Sequence, residues 1–502
     1  MHHVSLIIEF LRGRPSAVFW LVALTQGVLW TVIPAIFYSA PPGDVPLLLA
    51  IGHEFVLGSY LGPPLAFWLG EAAFRFGGLI GLYALSQVCI VTALWAVFTL
   101  GRAVVGTRHA VLGILLMVGI ATFAVPSPEF SPAVLAAPLW ALALLHYWRA
   151  VGQFQRGAWF FLALDLGLLL LANYAGIILL VLLVVFTLAT TRGRRALADI
   201  EPWLALLLFA FVVAPHAIWL YAERGLVIAA FNESIATGAS SPVVTLGLLL
   251  LASHLGLLLL IALASGWPRQ RRERAPEIDR PPAETLARAY IYFFALMPAA
   301  CALALSFAIG THWPIGPMGS VAPLVLLSGL AVIVAAGDRV LLYRERMVSS
   351  SWLALLVAPP LLAVLSLALA PWAFARDLRI AQPAQAEAQF LTENYQRRTG
   401  RPVAYVTGDE RLAPLMAMMA PERPRVFFAW APQRSPWISV DDVAALGAVL
   451  VWPAEASGQP PATLTTQFPA MVPELPRSFE RNVQGRLPPI RLGWSVLRPA
   501  AQ

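Results

Sequence analysis

Long apolar stretches recur through the first 371 residues, and they constrain the fold of this chain more than any other feature. Each is about the length a helix needs to cross roughly 30 Å of hydrocarbon at about 1.5 Å per residue. The sequence lacks the roughly ten-residue alternating segments that are typical of membrane β-barrels. It therefore predicts a polytopic α-helical membrane protein, with apolar runs at 17–37, 78–100, 109–125, 133–149, 157–190, 203–221, 245–265, 288–309, 320–336 and 352–371.

The run at 157–190 has 34 residues, which is too long for one span and short for two ordinary ones. Arginines flank it on both sides, and cytoplasmic segments collect positive charge. Both ends are therefore expected on the cytoplasmic side, so the run must cross the membrane and return. A hairpin near Asn173 and Tyr174 gives two short helices and about 11 transmembrane helices in total.

Charge sets the expected orientation of these helices. With this count, 18 of the 34 basic residues fall in cytoplasmic segments, and only Arg75 and Arg224 fall in outer loops. The N-terminus is expected in the cytoplasm and the C-terminus in the periplasm. The first apolar run lacks a small-residue cleavage site, so we expect an uncleaved span. Cytoplasmic loops that face anionic lipid account for the net charge of +7, so no nucleic-acid partner is expected.

Residues 372–502 form a second predicted domain, because the composition changes after Pro371 and long apolar runs cease. The segment 384–398 predicts an amphipathic helix. Residues 401–409, 424–430 and 447–452 predict short strands separated by turn residues. About 130 residues are enough for one small α/β domain, which the predicted topology places in the periplasm.

The outer loop, residues 38–77, is where ionisable groups gather beside the membrane. It carries Asp44, Glu54 and Glu71 in an otherwise apolar region, and carboxylates next to hydrocarbon default to a functional hypothesis. A carboxylate held there could take the proton of an acceptor hydroxyl while a lipid phosphate departs. The departing phosphate needs a cation, which arginine supplies well. Arg75, Arg376 and Arg379 are the expected candidates.

Short motifs follow one another in a characteristic order along the chain. They are Asp44, Gly52-His53-Glu54-Phe55-Val56-Leu57-Gly58, Pro63-Pro64-Leu65, Pro128-Glu129-Phe130, Pro215-His216-Ala217-Ile218-Trp219-Leu220, Gly408-Asp409, Arg423-Pro424 and Ser435-Pro436-Trp437. In this order they resemble family 39 of the membrane glycosyltransferases. These enzymes have the GT-C fold and include the protein mannosyltransferases and the aminoarabinose transferases.

The resemblance implies transfer of a sugar from a polyprenyl-phosphate donor, with inversion, at the periplasmic face of the bacterial inner membrane. In that family the first outer-loop Asp is the presumed catalytic base, and Asp44 occupies its place. Glu54, His53, Arg75, Glu129, His312 and Arg376 are the expected substrate-binding residues. The acceptor is a glycan, a lipid or a protein. The chain departs from the family pattern at several positions, including Gly62 where bacterial relatives usually carry His.

Several of these residues have plainer structural explanations. Asp44 could cap the helix that follows it, and Glu71 and Arg75 have the i, i+4 spacing of a helical ion pair. Asp44 and Glu54 could also bind a divalent cation, Mg²⁺ or Mn²⁺, although two carboxylates specify neither metal.

Two other functions are compatible with the sequence. A catalytically inactive GT-C-like protein could bind lipid as an assembly partner, because several polar residues usual in the family are replaced. A lipid or solute transporter would also need many spans, but the sequence shows no internal repeat of broken helices.

Overall fold

The computed structural model describes residues 13–125, 128–236, 241–266, 277–279, 282–310, 321–341, 343–374, 378–454, 458–483 and 485–500. The chain forms two compact units. The helical unit comprises residues 1–32, 61–65 and 83–361, and the loop–domain unit comprises residues 33–60, 66–82 and 362–502. The expected boundary between residues 371 and 372 stays a prediction.

Helices dominate the described part of the chain, as the apolar runs predict. They are α1 (Pro15–Phe37), α2 (Val45–Gly52), α3 (Leu65–Met117), α4 (Ala121–Ala124), α5 (Pro132–Tyr147), α6 (Ala158–Ala172), α7 (Gly176–Ala189), α8 (Thr191–Ala196), α9 (Glu201–Ala222), α10 (Arg224–Ala236), α11 (Pro242–Ser253), α12 (Leu255–Ala264), α13 (Thr285–Ile309), α14 (Ser328–Ala335), α15 (Glu345–Ala373), α16 (Ala384–Thr399), α17 (Leu412–Met419), α18 (Val440–Leu446) and α19 (Ala462–Gln467).

Short non-α turns interrupt or extend this series. A π-helical turn, Trp148–Gly152, continues α5, and 3₁₀ turns form at Ala322–Val325, Arg379–Ala381 and Pro432–Arg434. Seven helical segments in the described residues are long and apolar enough to cross a membrane. Three shorter apolar helices cover 158–172, 176–189 and 322–335. The prediction of a polytopic helical protein is confirmed.

The helix α3 contains two of the predicted spans. Its 53 residues do not form one straight helix. Gly78 and Gly106 have φ of 57° and 77°, values outside the right-handed helical region. A Cβ on Gly101 would lie 3.0 Å from the Cβ of Ala110. These residues would be about 13 Å apart along a straight helix, so the chain folds back near Gly106.

The predicted hairpin at Asn173 is confirmed as a break between α6 and α7. Asn173 has extended backbone angles, and its side-chain oxygen accepts a hydrogen bond of 2.8 Å from the N–H of Ala175. This local bond replaces the helical pairing and allows the chain to turn. Around it, α6 packs against α5 and α9, and Tyr147 stacks against Tyr290 in the buried aromatic core.

The loop–domain unit contains a five-stranded mixed sheet. Its strands are β3 (Tyr405–Gly408), β4 (Arg425–Phe427), β5 (Ala448–Pro453), β6 (Arg477–Phe479) and β7 (Ile490–Leu497), in the order β4-β3-β5-β7-β6. A separate antiparallel pair in the helical unit joins β1 (Glu277–Asp279) to β2 (Arg339–Leu341). In the larger sheet β3 is parallel to β4 and β5, whereas β7 is antiparallel to β5 and β6.

This sheet confirms the predicted small α/β region. The amphipathic helix expected at 384–398 is α16, and the three expected strands are β3, β4 and β5. Phe427, Leu450 and Trp452 lie in the buried core. The strand β4 is an edge strand, and its first residue, Arg425, pairs in register with Tyr405. This edge carries the arginines that meet the outer loop.

Candidate functional site

Asp44 lies at the N-cap position of α2, but its side chain does not cap the helix. Pro46 is the second helical residue and has no N–H, which removes one of the two usual targets of a capping side chain. Within the described part of the chain, Asp44 makes no side-chain capping bond. The capping explanation is therefore wrong for this half-buried carboxylate.

Tyr60 connects Asp44 with the α/β domain. The Arg434 guanidinium carbon lies 4.6 Å from the centroid of the Tyr60 ring, a cation–π contact. Burial raises the pKa of the Tyr60 phenol; Arg434 opposes this rise, and the carboxylates of Glu410 and Asp44 add to it. Arg434 of the α/β domain therefore contacts the outer loop at Tyr60.

Glu54 forms a two-pronged ion pair with Arg425. The Arg425 Nε donates to Oε1 at 2.9 Å, and Nη2 donates to Oε2 at 2.5 Å. The Glu54 side chain is 7% exposed. Arg425 Nη2 also donates to the carbonyl of Trp437 at 3.3 Å. Fork-to-carboxylate geometry of this kind fixes orientation as well as charge, so the loop is held in one register against β4.

Glu71 is a buried carboxylate, 1% exposed, at the centre of a second network. Its Oε2 accepts from Arg423 Nη2 at 2.7 Å, and its Oε1 accepts from Arg75 Nε at 2.8 Å. The Nδ1 of His53 lies 3.2 Å from Oε1. Since a carboxylate can only accept here, we assign the proton to His53 Nδ1. Nε2 then remains as the nitrogen that a substrate can meet.

Close backbone contacts and unusual backbone angles accompany these two networks. Phe55 and Arg423 are non-glycine residues with φ of 49° and 53°. Such conformations cost free energy and persist where the surroundings impose them. At Gly52 an added Cβ would lie 2.4 Å from the carbonyl oxygen of Phe67, so only glycine allows α2 to approach α3 this closely.

The structure places the other predicted site residues as follows. The i, i+4 ion pair of Glu71 and Arg75 is confirmed, and Arg75 remains 53% exposed. Glu129 is half-buried and belongs to the helical unit. His312 and Arg376 lie outside the described residues. The residue after Arg379 contacts the start of the outer loop, because the carbonyl of Ile380 accepts from the N–H groups of Ser39 and Ala40 at 2.8 and 3.2 Å.

The hypothesis of a divalent-metal site at Asp44 and Glu54 does not fit the geometry. Both oxygens of Glu54 accept hydrogen bonds from Arg425, and a guanidinium in that position competes with a cation for the same lone pairs. Within the described ranges, no group of three or more His, Cys, Asp and Glu side chains is close enough to hold a metal ion.

The sequence analysis missed the arginines of the α/β domain as partners of the outer loop. Arg423 lies just before β4, Arg425 is its first residue, and Arg434 follows it. The signal was present, because Arg423-Pro424 and Ser435-Pro436-Trp437 are motifs of the family resemblance that bracket this segment. Sequence separation of more than 350 residues hid the pairing with Glu54 and Glu71.

Comparison with known proteins confirms the class to which the fold and motifs point. Residues 62–219 match the family model of the dolichyl-phosphate-mannose-protein mannosyltransferases. Among solved structures, the fold is similar to that of ArnT from Cupriavidus metallidurans bound to undecaprenyl phosphate. That likeness has a TM-score of 0.58 at 14% identity and covers 97% of this chain and 99% of that one. The family model covers less than half of the chain, and the structural likeness shows that the chain has an ArnT-like helical fold.

More distant likenesses complete the comparison. An oligosaccharyltransferase from Archaeoglobus fulgidus, in complex with Zn and sulfate, aligns with a TM-score of 0.46 at 14% identity. It covers 82% of this chain and 62% of that one. No curated protein matches the sequence.

Proposed function

We propose that this protein is an inverting glycosyltransferase that moves a sugar from a polyprenyl-phosphate donor to an acceptor hydroxyl. The match to the mannosyltransferase family model and the ArnT-like fold support the class. ArnT was solved with undecaprenyl phosphate, which supports a polyprenyl-linked donor here. We place the reaction at the periplasmic face of the bacterial inner membrane, because the arginine distribution puts the outer loop on that side.

One observation carries the assignment of Asp44 as the base. Its carboxylate occupies the first helical cap position of the outer loop without serving as a cap. It is half-buried, so it stays within reach of a substrate, and charged groups of the α/β domain surround the neighbouring Tyr60. The family resemblance places the catalytic base at this position, and the partly exposed carboxylate fits that role.

The reaction follows from this arrangement. The acceptor oxygen attacks the anomeric carbon, and its proton passes to Asp44. The bond between the anomeric carbon and the phosphate oxygen breaks, and the electron pair leaves with the polyprenyl phosphate. One displacement on the face opposite the leaving group inverts the anomeric configuration. A phosphate leaving group needs no proton, so a single base is sufficient.

Two further residues of the outer loop fit a substrate-binding role. The His53 side chain is 27% exposed, with Nδ1 held by Glu71, and the half-exposed Arg75 shares the same carboxylate. Both can reach an anionic or hydroxylated substrate while Glu71 fixes their orientation. Glu129, His312 and Arg376 stay predicted substrate-binding residues. The acceptor, whether glycan, lipid or protein, stays open.

Comparison of envelope glycolipids and glycans tests the proposal and names the product. A deletion strain is complemented with wild-type protein, with Asp44→Asn, or with Asp441→Asn as a control on the exposed surface of α18. Mass spectrometry should show one sugar modification lost in the deletion strain. Wild-type protein and Asp441→Asn should restore it, whereas Asp44→Asn should not.

Two outcomes would contradict the proposal. Restoration by Asp44→Asn at the wild-type level would remove Asp44 from the mechanism. A deletion strain whose glycans and glycolipids match the parent would favour an assembly partner without catalytic activity. In either case membrane abundance of each variant is measured, so that loss of protein is separated from loss of transfer.

A further inference from the structure

We infer that Arg434, supplied by the α/β domain, binds the phosphate of the donor and stabilises the departing phosphate. Glu54 and Glu71 are then positioning residues that hold this domain on the outer loop. The inference rests on the proposed function and adds a group outside the membrane helices to its site.

Ion pairs and helix packing attach the α/β domain to the outer loop. Arg425 binds both oxygens of Glu54, and Arg423 binds the buried Glu71, so two ion pairs join the outer loop to the residues around β4. The helix α17 also packs against α2. Because Asp44 immediately precedes α2, these contacts fix the domain relative to Asp44.

The segment that follows β4 places Arg434 over the ring of Tyr60. From Phe427 the chain runs through a buried aromatic turn, in which Phe428 packs edge-on against Tyr60 with centroids 6.3 Å apart. It then forms the 3₁₀ turn Pro432–Arg434, and the side-chain oxygen of Ser435 accepts from the N–H of Phe428 at 3.4 Å. This closed loop presents Arg434 over the face of Tyr60.

The negative charge on the lipid phosphate increases during the reaction. The donor phosphate is a diester with one negative charge, and the departing polyprenyl phosphate is a monoester with up to two. A guanidinium at this position therefore binds the leaving group more strongly as the reaction proceeds, which lowers the barrier to the chemical step. The planar fork of arginine can meet two phosphate oxygens at once.

The test uses purified full-length protein and measures undecaprenyl phosphate binding and sugar transfer separately. Arg434→Ala should weaken binding of undecaprenyl phosphate at least tenfold and lower kcat more than it raises the KM for the donor. Arg397→Ala, a control on the exposed face of α16, should change neither quantity. Arg434→Lys keeps the charge but loses the fork, so an intermediate loss is expected.

The outcomes separate this inference from the proposed function. A folded Arg434→Ala protein that binds undecaprenyl phosphate as tightly as wild type overturns the role of Arg434, even if Asp44→Asn abolishes transfer. If Arg434→Ala does not fold, Arg434→Lys decides, and wild-type binding and kcat in that variant overturn the role. Retained transfer by Asp44→Asn would instead contradict the proposed base and leave the measured Arg434 effect standing.

Discussion

Arg425 at the edge of the sheet and Glu54 in the outer loop, 371 residues apart in sequence, form a bidentate ion pair with the Glu54 side chain 7% exposed. Glu54 was expected to bind substrate, and the structure gives both of its oxygens to a residue of the same chain. Its charge is therefore used to hold the outer loop against the α/β domain.

Exchanging the two charges tests this assignment. Arg425→Glu alone leaves Glu54 facing another carboxylate, and we expect a loss of about 1–3 kcal/mol in stability and at least a tenfold fall in transfer. The double variant Glu54→Arg/Arg425→Glu should recover most of both. Thermal unfolding and initial rates measure the effects.

A matched exchange supplies the control. Arg398 and Glu474 form an ion pair within the α/β domain, with side chains 34% and 30% exposed. Reversing their charges should leave transfer unchanged. If the double exchange at Glu54 and Arg425 regains stability but no activity, Glu54 contacts substrate after all, because a positioning pair should work in either polarity.

Glu71 should be more sensitive to substitution than any exposed acid of the loop–domain unit. Glu71→Gln keeps the size but removes the charge that Arg75 and Arg423 share, leaving Arg423 half-buried beside a neutral amide. Loss of a buried partner costs roughly 3–5 kcal/mol. The melting temperature should fall by several degrees, whereas Glu393→Gln on α16 should not change it. Equal melting temperatures for the two variants would contradict the network.

The contact of α2 with α3 predicts opposite effects for two glycine substitutions. In Gly52→Ala the new Cβ would lie 2.4 Å from the Phe67 carbonyl oxygen, and overpacking against backbone costs about 1–3 kcal/mol. Gly77 is exposed in a helix, with no atom within 4 Å of an added Cβ. Gly77→Ala should therefore raise stability by about 0.5–1 kcal/mol. Thermal unfolding of both proteins decides whether α2 lies this close to α3.

The predicted orientation is tested by cysteine labelling from outside spheroplasts. In a protein whose Cys89 and Cys301 are replaced by Ala, Glu422→Cys in the α/β domain should react with a membrane-impermeant maleimide. Arg195→Cys, exposed in the last turn of α8, should react only after the membrane is opened. The reverse labelling pattern would place the outer loop in the cytoplasm and contradict the assigned face.

Much of the fold could be predicted from sequence because its signals are local. The length of the apolar runs predicts the helices, and the arginines on both sides of 157–190 predict the hairpin at Asn173. Short apolar runs between turn residues predict β3, β4 and β5. The gap between two apolar runs correctly predicted the reversal near Gly106, although helical residues continue on both sides of it.

The contacts around the site could not be predicted in the same way. The carboxylates of the outer loop were identifiable, and the i, i+4 spacing gave the pair of Glu71 and Arg75. The pairing of Arg423 and Arg425 with the outer loop depends on how the α/β domain packs, including α17 against α2, which is a tertiary property. For that reason the ion pair between Glu54 and Arg425 could not be predicted, and the role of Glu54 in binding substrate stays a prediction.

Transfer by purified protein tests the central claim most directly. Wild-type and Asp44→Asn proteins, matched for melting temperature, are given the polyprenyl-phosphate sugar and the acceptor named by the glycan comparison, and product is followed over time. We predict steady product formation by the wild type and a loss of at least a hundredfold in kcat for Asp44→Asn. Equal rates for the two proteins would contradict the account.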